Sequence, residues 1–335
     1  MYKLGMYGGS FNPPHLGHVN DIIEASAMCK KLYVVLSYSN NRDEIDHRER
    51  FKWLKLLTKE MDWVKVIEVF DNDNSKETYN WEKGRDAIVA KIDGKLDVVF
   101  CGDDYKNTNR FEKLYPDCTI HYFSRDIIKI SSTEIRKNPM KYFEYLPKVV
   151  RPYYTKKIAI IGTESCGKST LVRNLAKLYN TTYVEELGRE VCDNAGGIDN
   201  MTPEDFPEIM FRHKVRELEA IKEANRVLFI DTEAIITTYY LKLLFEGTKE
   251  KINQIIEIGN SISKLNNNYL YIFLEPDVKW VQDGTRTYGE DEVRENNNKM
   301  LKEMLKERNI DYKIINGDYY NRFQEMRELV NKLIG

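Results

Sequence analysis

Short runs of consecutive apolar residues alternate along the chain with longer segments in which apolar positions recur at helical spacing. In the first half the runs are YKLGMYG, LYVVLSY, VKVIEVF, LDVVFCG and TIHYFS; in the second they are KIAIIG, TTYVEE, RVLFID, YLYIFLE and YKIIN. A strand with one wet face alternates apolar and polar residues. These runs are largely apolar throughout, which predicts strands buried on both faces. Helices between successive strands supply the covering layers, so the expected fold is α/β, with two doubly wound parallel sheets. One stretch interrupts the rhythm. LPKVVRPYYTKK, residues 146–157, sets two prolines and a basic cluster between a helix and a fresh strand, the composition of a join. Two domains are therefore expected, 1–150 and 156–335. They share the alternation but no repeated motif, so they are two different domains rather than a duplication.

The length of 335 residues agrees with two cores. Hydrophobic residues make up 42% and charged residues 31%, a globular composition. Lys plus Arg number 51 against 53 for Asp plus Glu, a net charge of -2. That balance leaves no electrostatic footprint for nucleic acid, although local basic sites for small phosphorylated ligands remain open. The longest apolar runs, such as YLYIFL at 269–274, fall far short of a bilayer, so no membrane span is expected. Met1 leads almost directly into a strand, which leaves no room for a signal peptide. The five cysteines, Cys29, Cys101, Cys118, Cys166 and Cys192, form no CxxC pair and are odd in number. Reduced thiols in a cytoplasm are the expectation. A homo-oligomer is compatible with all of this.

Two strand-to-helix crossings carry the chemistry. The first, GGSFNPPHLGH at 8–18, follows the first strand. Ligands of open α/β sheets sit beyond the carboxyl ends of the strands, where a helix N-terminus receives an anion. Gly8 and Gly9 let the backbone approach a ligand closely, while Pro13 and Pro14 stop the strand. His15 and His18 then lie about one turn apart on one face of the next helix. Two imidazoles there donate hydrogen bonds to a phosphoryl group as charge builds on it. An HxxH pair with no carboxylate or cysteine set beside it is a poor zinc site.

The second, GTESCGKST at 162–170, follows the strand KIAIIG and opens the helix STLVRNLAKLY. It fits G-x-x-x-x-G-K-[ST] in the strand–loop–helix setting that this motif requires. Gly162, Glu164, Ser165, Cys166, Gly167 and Thr170 frame a loop whose amides cradle ATP phosphates. Lys168 reaches the β- and γ-phosphates, and Ser169 ligates Mg²⁺. Cys166 reads as a small tolerated residue. RVLFIDTE ends a strand in Asp231, placed to hold the Mg²⁺ shell or to accept a proton from the substrate hydroxyl. YVEELGREV brings Glu185, Glu186, Arg189 and Glu190 to another strand end, either for ribose hydroxyls or as a solvated helix start. VQDGTRTYG at 281–289 reads as a mobile lid whose Arg286 closes on the transferring phosphate. The guanine motif NKxD of GTPases is absent from its expected place.

GSFNPPHLGH resembles the GxFxPxHxGH signature of the nucleotidyltransferase superfamily that adenylylates small phosphorylated metabolites. Its second signature is matched by ISSTEIR at 130–136. The resemblance implies a Rossmann-like nucleotidyltransferase in which Gly8, Gly9, Ser10 and Phe11, together with Ser131, Ser132 and Thr133, bind ATP. Ser131 and Ser132 cap the following helix, and Arg136 adds a guanidinium for the β- and γ-phosphates. A transferase followed by a P-loop kinase suggests consecutive steps, phosphorylation of a hydroxyl and then attachment of AMP. Over nearly its whole length the sequence resembles the NadR-type bifunctional enzymes, on HLGH, EELGRE, FIDTE and WVQDGTR. That resemblance implies nicotinamide riboside kinase and nicotinamide mononucleotide (NMN) adenylyltransferase activities, making NAD from ATP with Mg²⁺. It implies riboside contacts at Glu186, Arg189 and Glu190. YNWEKG at 79–84 resembles the tryptophan-bearing segment of those enzymes, so Trp81 either stacks on the pyridinium ring or is core. Arg48 and Arg50 of HRERFKWL become candidates for the NMN phosphate. A CoA-pathway pair of pantetheine-phosphate adenylyltransferase and dephospho-CoA kinase, and a nucleotide sensor without turnover, are the alternatives. Family members that act as regulators carry a helix-turn-helix ahead of the transferase. Here Met1 starts the first strand, so neither repression nor sequence-specific DNA binding is expected.

Overall fold

The structure is a computed structural model that describes residues 1–39, 44–71, 79–245, 249–266, 268–278 and 291–335. It divides into two compact units, Met1–Arg151 and Pro152–Gly335.

In the first unit the strands are β1 (Tyr2–Gly9), β2 (Cys29–Tyr38), β3 (Val64–Phe70), β4 (Val98–Gly102) and β5 (Thr119–Phe123). All pair in parallel, in the order β3-β2-β1-β4-β5. The second unit has β6 (Lys156–Ile161), β7 (Tyr183–Val184), β8 (Val227–Asp231), β9 (Tyr269–Leu274) and β10 (Tyr312–Ile315). They too are parallel, in the order β10-β9-β6-β8-β7. Both units are thus doubly wound.

The inner apolar runs work as two-faced strands, whereas the edge strands β3, β5, β7 and β10 keep partly exposed positions because no further strand flanks them. Along β2, Leu32, Val34 and Leu36 join one core cluster while Tyr33 and Val35 join the cluster on the other face. Along β6, Ile158 and Ile160 face one side, Ala159 and Ile161 the other. TTYVEE contributes only two ladder residues. It forms the sheet edge, pairing Tyr183 with Phe229 and Val184 with Ile230, and its glutamates leave the ladder at the carboxyl end.

In each unit the first strand becomes the centre, and later strands add on either side of it. That makes the carboxyl ends of β1 and β6 the switch points, where loops diverge and leave a crevice. The two glycine-bearing crossings occupy those two points. Among the described residues no helix is long and apolar enough to cross a membrane.

Candidate active sites

At the end of β1 the chain builds a histidine pair. His15 is the N-cap of the helix Leu16–Met28 and His18 is its third residue. The His18 amide donates to His15 Nδ1 at 3.4 Å, and the His15 amide donates to His18 Nδ1 at 3.3 Å. The rings stack with centroids 3.7 Å apart. A Cβ on Gly17 would lie 3.0 Å from His15 Nδ1, so glycine leaves room for that ring. Because each Nδ1 accepts, the proton of each neutral ring sits on Nε2, free to donate outward. Burial, with Arg125 adding to it, lowers His15 to about 4. Burial, then the His15 and Arg125 charges, holds His18 well below the ordinary histidine range.

Phe11, buried and at φ 45°, sets its edge against the His18 ring, centroids 5.0 Å apart. A cleft of about 440 Å³ opens in front, lined by His15, His18, Asp21, Gly102, Arg125 and Ile128 among others. Gly8 and Gly9 end β1 and are not among the residues lining the cleft. Ser10 turns its carbonyl to Arg50, whose Nη1 donates to it at 2.6 Å from a side chain only 1% exposed.

The second signature is tied to the first. Ser131 caps the helix Ser132–Lys137 in a reciprocal box with Glu134. Ser132 Oγ donates to the Pro13 carbonyl at 2.8 Å, and Arg136 Nη1 donates to the Asn12 carbonyl at 2.5 Å. Arg136 also meets Glu44, and it donates weakly to the Thr133 hydroxyl. Arg136 therefore braces the loop as well as carrying charge to it.

Trp81 opens the helix Trp81–Val89 and is half-buried, with the rings of Tyr79, Tyr105 and Phe111 turned edge-on around it. The Arg110 guanidinium lies 4.5 Å from its ring centroid. A cation thus already sits on this indole. Arg48 is exposed, and its amide donates to Asp46.

The end of β6 is built by another route. Gly162, Ser165 and Gly167 all have positive φ, at 144°, 59° and 85°. A side chain on Gly162 would press on the Leu274 backbone, and one on Gly167 would enter the Tyr319 ring. Gly167 is the N-cap of the helix Lys168–Leu178 and offers no side-chain cap. The first-turn amides are left for an external acceptor. Lys168 is buried and donates from Nζ to the Thr163 carbonyl at 2.9 Å. Burial opposes its charge, but Cys166, Glu186, Asp231 and Glu164 around it outweigh burial and raise its pKa.

Asp231 ends β8 at 2% exposure. Burial, then the Glu186 charge, pushes its carboxyl up to about 7. Its Oδ1 has no hydrogen-bond partner among the described residues. A cleft of about 1180 Å³ joins Glu164, Ser165, Gly167, Lys168, Ser169 and Thr170 to Glu186 and Arg189. Glu190 is held elsewhere. Arg212 and Arg216 pair with its carboxylate, and it is not among the residues lining the cleft. Cys166 is fully buried and donates to the Thr163 carbonyl. Arg286 and the whole stretch 281–289 lie outside the described residues.

Residues 6–138 match the cytidylyltransferase-like family, and residues 157–322 match the AAA domain family. The trifunctional NAD biosynthesis/regulator protein NadR of Salmonella typhimurium is 31% identical over 352 residues, covering 99% of this chain and 84% of its own length. Its Escherichia coli counterpart is 30% identical and covers 99% and 83%. The chain belongs to the NadR family. A crystal structure of a NadR protein in complex with NR matches 99% of this chain and 96% of its own, with a TM-score of 0.83 at 21% identity. One in complex with NAD and AMP-PNP gives a TM-score of 0.81. These likenesses place the whole NadR-family fold on the chain. Phosphopantetheine adenylyltransferase of Mycoplasma mycoides is 30% identical, but over only 40% of this chain.

Within that NadR-family frame, three features of the sites were not read from the sequence. Arg125, just beyond β5, reaches the histidine cleft and grips the Asp104 carboxylate at 2.9 and 3.2 Å. Its signal was the SRD turn at a strand end, the same place that marked the other loops. The far part of the second cleft is apolar, lined by Met201, Phe206, Ile209, Ile236, Tyr240 and Leu244. Those residues come from two helices, Asp205–Ala220 and Ala234–Leu244, and a preceding loop, so no local motif announces them. His213, also in this cleft, lies with Nε2 3.1 Å from the Asp231 carbonyl.

Proposed function

We propose that this chain makes NAD in two steps, phosphorylating nicotinamide riboside in the second unit and adenylylating the resulting NMN in the first. The observation that carries this reading is the identity to NadR proteins over 99% of the chain, with both phosphate-binding loops inside the matched span.

In the second unit the riboside 5′-hydroxyl attacks the γ-phosphorus of ATP, and the bond from that phosphorus to the β,γ-bridging oxygen breaks. Asp231 takes the hydroxyl proton. Burial raises the proton affinity of this carboxyl, which favours its taking that proton, while a Mg²⁺ on its other oxygen would hold it ionised beforehand. Lys168 and the uncapped amides of the loop hold the phosphates, and Arg286 is assigned to the transferring group. Glu186 and Arg189 address the ribose hydroxyls, while Glu190 serves by fixing Arg212 and Arg216. The apolar end around Phe206 and Tyr240 suits the nicotinamide ring. The Asp231 oxygen without a partner and the adjacent Ser169 hydroxyl fit Mg²⁺. The ion, once bound, supplies charge neutralisation at the β- and γ-phosphates.

In the first unit an NMN phosphate oxygen attacks the α-phosphorus of a second ATP, and pyrophosphate leaves. His15 and His18 donate from Nε2 to the α-phosphoryl oxygens as charge accumulates there, without transferring a proton. One such preorganised donor is worth about 2.7–4 kcal/mol of barrier. Ser132 and Arg136 hold the loop beside the leaving pyrophosphate, with Ser131 and Thr133 at the same helix start. Gly8, Gly9, Ser10 and Phe11 shape the ATP side. Trp81 and Arg48 are assigned to NMN. Stacking of a pyridinium on Trp81 has to displace Arg110 or use the opposite face of the ring. A cytoplasmic location agrees with five free cysteines.

The test is product analysis. Protein, Mg-ATP and nicotinamide riboside should yield NMN, ADP, NAD and pyrophosphate. Phosphopantetheine supplied in place of NMN should not be adenylylated, and ligand binding without turnover would sink the reading.

A further inference from the structure

The second phosphate loop is held from behind by a residue far away in the chain. Arg322 lies on the helix Tyr319–Ile334, is 1% exposed, and makes four hydrogen bonds through its guanidinium. Nη1 donates to the Cys166 carbonyl at 2.5 Å and Nε donates to the Gly317 carbonyl at 2.7 Å. Nη2 donates to the Glu275 carbonyl at 2.7 Å and to the Asp277 carboxylate. Asp277 in turn accepts the Gly317 amide at 2.6 Å.

We propose that Arg322 is the positioning residue of this loop, holding the Cys166–Gly167 peptide so that the loop amides face the triphosphate. The inference rests on the reading of the second cleft as the ATP site of a kinase. A loop that binds phosphate through N–H groups must turn its carbonyls outward, and each buried carbonyl then needs a donor. Cys166 is 0% exposed, so water cannot serve its carbonyl. Gly167, at φ 85° and without a side chain, offers little resistance to rotation of the peptide before it. A carbonyl clamped by a guanidinium fixes the opposite end of that peptide, the Gly167 N–H. The same guanidinium spans Glu275 and Gly317, just beyond β9 and β10, the strands next in line after β6. Loop and sheet ends are thereby locked in one frame. Lysine cannot reproduce this, because a single ammonium lacks the planar fork that reaches several acceptors at once.

The test is steady-state kinetics of the full chain carrying Arg322→Lys and Arg322→Ala, with adenylyl transfer from the same samples as the control for folding. Arg322→Lys should raise the KM for ATP in riboside phosphorylation about ten- to a hundredfold, the loss expected for a charged hydrogen-bond partner. The KM for riboside should stay close to wild type. Arg322→Ala should lose more, and added guanidinium ion should restore part of it. An unchanged KM for ATP in Arg322→Lys overturns the inference while leaving the kinase reading intact. A parallel loss for both substrates with a lowered melting temperature also overturns it, since that marks a general structural role. A wild-type chain that does not phosphorylate the riboside overturns the kinase reading and this inference with it.

Discussion

The two phosphate loops sit at equivalent switch points of two doubly wound sheets, yet they use opposite ends of the same physical problem. In the first unit the helix start is capped by its own histidines, whose Nδ1 atoms take the amides of positions 15 and 18. What remains for a ligand is the outward Nε2–H of each ring. In the second unit the helix start has no side-chain cap, and three positive-φ residues turn the main chain into the donor. In the proposed reading, side chains serve the first site and backbone the second. The difference teaches that capping decides which groups are left to bind. Both loops also share a device: a fully buried arginine holds one loop carbonyl, Arg50 on Ser10 and Arg322 on Cys166. The two ends are 40 residues apart in one case and 156 in the other.

The largest effect should come from breaking the second loop. Lys168→Ala is expected to lower riboside phosphorylation by about a thousandfold or more, since the buried ammonium assigned to the transferred charge is gone. Adenylylation of NMN by the same sample should be unaffected, read as pyrophosphate release.

The first loop should break by side chain rather than by backbone. His18→Ala is expected to lower kcat for NAD formation by about 10²–10³, leaving the kinase step in place. His15→Asn sharpens the contrast, because asparagine is a strong N-cap but has no Nε2. It should keep the melting temperature near wild type while still losing most of the transferase rate.

Acidity separates the two sites further. Burial and Glu186 raise Asp231 from 3.8 to about 7, and only the ionised form accepts a proton. A Mg²⁺ bound at Asp231 would pull that value down, so kinase kcat/KM should climb with pH on the acid side, at or below about 7, with the midpoint moving lower as Mg²⁺ is raised. His15, lowered from 6.5 to about 4, and His18, lower than usual as well, remain neutral donors, so adenylyl transfer should show no inflection from this pair between about pH 5 and pH 8. Stability follows the linkage sign. The unfolded histidine takes up its proton at a higher pH than the folded one. The contribution of His15 is thus fully present above 6.5 and is lost as pH falls toward about 4, a difference of roughly 3 kcal/mol. Thermal melts of the chain across that window check it.

The smallest effect concerns the tryptophan. Trp81→Ala should raise the KM for NMN about two- to thirtyfold, the span of a cation–π contact, with little change for ATP. Arg110→Gln vacates the indole and should lower the KM for NMN if the pyridinium takes that seat. An unchanged value in both variants would remove Trp81 from the substrate.

The parts of this protein determined by sequence alone are those with short-range causes. Ten apolar runs became ten strands; the inner ones are apolar at consecutive positions because both their faces are covered, while the edge strands β3, β5, β7 and β10 stay partly exposed. The glycines and histidines of the two crossings were legible for the same reason: backbone freedom and one-turn spacing are local properties. The tertiary structure decided what depends on contacts between distant residues. Which of the neighbouring glutamates faces the cleft follows from how the chain leaves the edge strand and from two arginines on another helix, which hold Glu190 and leave Glu186 beside Lys168. Arg110 on Trp81 and Arg322 behind the second loop are invisible in a linear pattern, since an arginine reads as surface charge until its acceptors are placed; Arg125 had only its place at a strand end to mark it. The proton affinities of Asp231, His15 and His18 belong to the same class. They are set by burial, and burial exists only once the chain has folded.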